Sequence, residues 1–277
     1  MKAKFIILSF LFYYNLSQGQ NVFCLKSSEN NSPIKYAYIY VDNKITTYSD
    51  SLGIFKLNDN HLNSNIKIKA LGYKTLDSLS LENRTKFFME VEPFTLDSVF
   101  ITQKKHLKNY KLGLIKNGNV GIVCTAEHNK ISQVSKLFLN EFDKITYLDK
   151  LEFKALCSDK NRIISIVVYS VGKNGKPNTI LHNNNLICYL KKGHKKYEID
   201  LSHLNIIFPK NGVFIALNYI FLDQNKSYTN KKHNWFYYEP SLDAIKVKDY
   251  TDSWYYINNV WEKSKIYSLS MQLILTD

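Results

Sequence analysis

The sequence predicts an all-β protein built from two antiparallel β-sandwiches in tandem, a smaller one and then a larger one. Three observations carry this. Apolar residues recur with period two, as in Tyr36-Ala37-Tyr38-Ile39-Tyr40-Val41 and Ile66-Lys67-Ile68-Lys69, which is the spacing of a half-buried strand. β-branched and aromatic side chains suit a pleated surface, and the chain holds 20 Tyr and 16 Phe. Short apolar runs are separated to the end by clusters of Asn, Gly, Asp and Ser, the punctuation of sandwiches rather than of a parallel sheet. A length of 277 residues gives room for two domains, and an apolar share of 45% argues against disorder.

The first nineteen residues read as a secretory signal peptide. Lys2 and Lys4 form a positive start, Phe5 to Tyr14 is apolar, and Ser17 and Gly19 stand at a small-residue exit. That apolar run is too short to span a bilayer, which takes about 20 residues. No later stretch is long and apolar enough either, so the mature chain is expected without a transmembrane segment, in the periplasm or at the outer-membrane surface. The domains expected are then residues 1–19 as signal peptide, 20–102 as the first sandwich, 103–118 as a polar, basic linker and 119–277 as the second sandwich.

Within the first sandwich, Ser32-Pro33-Ile34 is a turn leading into the alternating strand. Thr47 to Leu57 reads as a hairpin, with Asp50 and Ser51 capping the turn, Gly53 supplying positive φ, and Phe55 and Leu57 returning to the core. Ile66 to Thr75 is a strand broken at Gly72, and Phe94 to Thr102 is a closing strand. In this order the phrases resemble the carboxypeptidase-regulatory-like domain of exported Bacteroidetes proteins. The resemblance covers Asn21 to Thr102 and implies a seven-stranded, transthyretin-like sandwich that serves as an accessory module without an active site.

In the second sandwich, Ile163 to Val171 reads as a central strand, Leu186 to Leu190 as another, and Asn211-Gly212 as a turn before Val213 to Leu217. The phrases Tyr169 to Pro177, Tyr197 to Ser202 and Pro209 to Leu217 are similar to the β-sandwich that follows the first module in many exported Bacteroidetes proteins. A jelly-roll-like arrangement is expected. Cys24, Cys124, Cys157 and Cys188 each lie in apolar, strand-like stretches. An even count permits a disulfide, and buried free thiols account for the pattern as well.

The net charge is +13, carried almost wholly by Lys, with Arg at positions 84 and 162 alone. Nucleic-acid readers lean on Arg, so no nucleic-acid partner is expected. No nucleophile elbow, HExxH, phosphate loop, dinucleotide fingerprint or CxxC occurs. Glu152, Glu198, Asp200 and Glu239 are the acids a hydrolase could use, but nothing in their spacing pairs them. Glu127-His128 is an adjacent pair whose side chains would diverge on a strand. The reading is a non-enzymatic binding or scaffold protein with no cofactor and no metal, whose partner is a protein or a surface glycan. The alternative is a carbohydrate-binding protein that stacks sugar rings on the C-terminal aromatics Trp235, Tyr237, Trp254 and Tyr256. Burial of those rings in the sandwich core is the competing account.

Overall fold

In a computed structural model of the protein the described residues are 20–81, 84–93, 108–118, 120–125, 131–230, 232–233, 235–248 and 251–277. The signal-peptide stretch, the closing phrase 94–102 and Glu127-His128 lie outside them. Among the described residues the regular structure is strand, apart from three single 3₁₀ turns, as the period-two pattern requires.

The first unit contains β1 (Gln20–Ser27), β2 (Tyr38–Val41), β3 (Lys44–Tyr48), β4 (Ile54–Asn58), β5 (Ile66–Lys69), β6 (Leu76–Leu79) and β7 (Lys86–Met89). They form a three-stranded sheet, β4-β1-β7, and a four-stranded one, β3-β2-β5-β6. Leu25, Ile39, Ile66, Ile68, Phe55 and Met89 fill a shared core. The turn into β4 has the chemistry read from the sequence. Asp50 Oδ1 accepts from the N–H groups of Leu52 at 2.8 Å and Ile54 at 2.9 Å. Gly53 has φ +73°, and a Cβ there would meet the Leu25 carbonyl oxygen at 2.5 Å. One pairing departs from the antiparallel expectation, because β1 and β7 run parallel. β7 enters this sheet by crossing from the other one, so no hairpin fixes its direction.

The second unit contains β8 (Asn109–Leu114), β9 (Val120–Thr125), β10 (Ile131–Phe138), β11 (Tyr147–Cys157), β12 (Arg162–Val171), β13 (Pro177–Ile180), β14 (Leu186–Leu190), β15 (Gly193–Asp200), β16 (Val213–Tyr219), β17 (Lys226–Asn230), β18 (Trp235–Lys246), β19 (Ser253–Ile257), β20 (Val260–Lys263), β21 (Tyr267–Leu269) and β22 (Met271–Thr276). One sheet has the order β13-β12-β16-β10-β19-β20, with β14 on β12. The other has the order β17-β18-β11-β22-β8, with β15 on β11 and with β9 and β21 on β18. The main core lies between them, with Leu148, Leu151, Ile164, Ile166, Ile215 and Leu273 fully buried. Residues 109–114, read from the sequence as linker, form β8 and pair with β22. Their basic character hid an alternation in which Tyr110 and Leu112 pack against that core.

The two units are joined by tyrosines. On β2 the pleat sends Ile39 and Val41 into the first core and Tyr38 and Tyr40 to the opposite face. That face meets the outer side of the seven-stranded sheet. Tyr48 is fully buried there, its hydroxyl donating to Asn218 Oδ1 at 3.3 Å and its ring meeting Phe221 edge-on at 5.6 Å. Tyr38 packs on Tyr48 at 5.0 Å, and Thr47 Oγ1 donates to the Phe221 carbonyl at 3.3 Å. Two tight turns also meet at this junction. Asp42-Asn43 and Asn258-Asn259 all have positive φ, the conformation of two-residue hairpin turns, and Asn259 Nδ2 donates to the Asn43 carbonyl at 2.6 Å.

Candidate functional site

Beside this junction the two units leave a cleft of about 410 Å³ between them, within the range of about 300–1,000 Å³ typical of small-molecule sites. The first unit supplies Tyr40, Lys69, Tyr73 and Glu92. Tyr40 is half-buried, stacks against Tyr38 at 6.4 Å, and has Lys69 Nζ 5.6 Å from its ring centre. The turn after β5 is held by the Glu92 N–H donating to the Gly72 carbonyl at 2.9 Å.

The second unit supplies the other wall. Tyr256 and Trp261 face one another across the β19–β20 hairpin, with ring centres 5.0 Å apart. Trp261 also meets Tyr169 edge-on at 5.7 Å. The Tyr169 hydroxyl donates to Gln133 Oε1 at 2.9 Å, which fixes that amide. Asn178 and Asn183 stand exposed at the rim. Burial pushes the Tyr169 hydroxyl well above its ordinary pKa, so it remains a neutral donor.

His182 also lines the cleft and is buried. Its Nε2 accepts from the Val168 N–H at 3.1 Å, which requires that nitrogen to be unprotonated. Burial lowers its pKa from 6.5 to about 4, so the ring is neutral at physiological pH. Its Nδ1 lies beside the Asn184 backbone without a hydrogen bond of good geometry.

The four aromatics singled out from the sequence do not form one platform. Trp235 and Tyr237 lie on β18 and Trp254 and Tyr256 on β19, strands of opposite sheets. Trp235 is 60% exposed, with His233 as its ring neighbour at 5.7 Å. Trp254 packs edge-on to Phe214 at 6.0 Å in a small apolar cluster outside the main core. Tyr256 alone of the four lines the cleft. The partners it finds there come from both units, and a strand pattern does not say which outward face another sheet will cover. The one available signal was β2 itself, whose two alternating sets are both apolar or aromatic.

The candidate acids are dispersed. Glu239 is buried against Arg162 Nε at 2.6 Å and accepts from the Ser158 N–H at 2.8 Å. Glu152 pairs with Lys196, Glu198 with Lys150, and Asp200 accepts from Ser202. Among the described residues the cleft carries a single carboxylate, Glu92, and no group of three His, Cys, Asp or Glu is placed to hold a metal ion. All four cysteines are free thiols, and burial pushes Cys157 and Cys188 up to about 12. Among the described residues no helix is long and apolar enough to cross a membrane.

No protein-family model matches the chain, and no curated protein matches it. Solved structures similar to it include a clostridial cysteine protease, Cwp84, after propeptide cleavage (13% identity, TM-score 0.42, covering 92% of this chain and 70% of that one). Another holds the cysteine protease and lectin-like domains of Cwp84, a surface layer associated protein of Clostridium difficile (11% identity, TM-score 0.38, 92% and 62%). A third is infectious bursal disease virus, Gx strain (9% identity, TM-score 0.28, 93% and 55%).

Proposed function

We propose that the chain is an exported binding protein of the bacterial cell envelope that holds its ligand in the cleft between the two units. The observation that carries this reading is the composition of the cleft. Half-buried rings from both units converge there with one fixed amide, two amides at the rim and one charge of each sign. An apolar body with few placed polar groups is the general character of a ligand site. The buried tyrosine junction supports the same reading, because walls that do not shift present a preorganised site and lower the ordering cost of binding. Export is inferred from the positive and apolar pattern of Lys2 to Tyr14.

The test is a thermal-shift screen of the mature chain against mixed panels of peptides, oligosaccharides and nucleoside phosphates. A ligand whose stabilisation is lost in Tyr40→Ala and kept in Trp235→Ala supports the cleft. Stabilisation lost in Trp235→Ala and kept in Tyr40→Ala moves the site to β18. Fractionation of the native host, with the chain found in the cytosol at full length, overturns export.

A further inference from the structure

Resting on the cleft as the binding site, we infer that its ligand is an uncharged saccharide. Tyr40, Tyr256 and Trp261 are all half-buried in walls of the cleft. A pyranose presents a C–H face to such rings and a rim of hydroxyls around it, which matches side chains with an apolar body and a polar tip. The polar groups suit hydroxyls that both donate and accept. The Gln133 carbonyl oxygen is already engaged by Tyr169, which leaves its amide N–H groups to give, while the Asn178 amide can do either.

Other ligand classes fit less well. Lys69 is the one cation and Glu92 the one anion among the described lining residues, so nothing there concentrates positive charge for a phosphate. A fatty acyl chain would offer nothing to the Gln133 amide N–H groups or to the Glu92 carboxylate that line the cleft. An extended peptide gains affinity mainly from main-chain pairing with a free strand edge. Although β20 is an edge strand, this wall of the cleft is built from side chains on the face of the sheet, with Gln133, Tyr169 and Tyr256 contributed by three different strands.

Titration calorimetry on the mature chain with neutral and anionic oligosaccharide panels, together with the peptide panel, tests this. A neutral oligosaccharide should bind with an affinity that changes less than about threefold between roughly 0.05 and 0.5 M salt, since no ion pair is made. Tyr256→Ala should weaken it at least about tenfold and Tyr256→Phe much less. Asn178→Ala, at an exposed site whose loss does not touch either core, should weaken it measurably with unchanged melting temperature. Trp261→Phe should remove any ligand-induced change in tryptophan emission. Peptide binding that Tyr256→Ala abolishes, with no saccharide bound, overturns the ligand class and keeps the cleft. An anionic glycan whose affinity collapses with salt overturns the neutral class. Saccharide binding that none of these variants alters overturns the inference together with the site, as does silence from every panel.

Discussion

Single residues carry the sharpest consequences. Gly53 combines φ +73° with a Leu25 carbonyl oxygen 2.5 Å from where a methyl group would stand. Both the left-handed backbone and the close approach exclude a side chain, so Gly53→Ala should cost roughly 1–3 kcal/mol, read as a lower urea midpoint. His182 carries a pH signature. Its ring titrates at about 4 when buried, against 6.5 as its ordinary value. The unfolded chain therefore binds a proton in that window which the folded chain refuses. Its contribution is intact above about 6.5 and fades as pH falls toward 4, on the order of 3 kcal/mol in all. His182→Gln keeps an acceptor for the Val168 N–H and should flatten the pH dependence of unfolding between those limits. A slope unchanged by the substitution would assign the titration to another group.

At the level of strands and turns, the junction rests on β2 and β3. Tyr48→Ala removes a fully buried ring and should cost about 3–5 kcal/mol by leaving a cavity. Tyr48→Phe removes only the hydroxyl bonded to Asn218 and should cost about 1 kcal/mol. Equal losses for the two in chemical denaturation would mean that the hydroxyl bond, and not the packing of the ring, holds the junction. These strands also show what a sequence displays and what it conceals. Strand existence, the Asp50–Gly53 turn and the inward set Ala37, Ile39, Val41 follow from local spacing. The burial of Tyr48, the entry of β8 into a sheet and the separation of Trp235 from Tyr256 depend on which sheets meet, information that spans about a hundred residues or more of chain. Of the residues lining the cleft, Tyr256 alone was a site candidate in the sequence and the doubly apolar β2 alone hinted at a covered outer face, because the two walls belong to strands far apart in sequence.

For the molecule as a whole, the tyrosine junction predicts that both units melt together. All three tryptophans, at 235, 254 and 261, lie in the second unit, so tryptophan emission follows that unit alone while far-ultraviolet circular dichroism follows both. The two transitions should coincide in the parent protein and separate in Tyr48→Ala. Transitions that are already separate in the parent would mean the junction couples the units too weakly to matter. The position of β22 has a different kind of consequence. It is inserted between β11 and β8, two strands that emerge from the ribosome long before it does. Until residues 271–276 arrive, both neighbours present open ladders to any other nascent polypeptide. The larger unit must therefore wait for β22, and such a chain has reason to be kept in a chaperoned, extended state until those residues have been made.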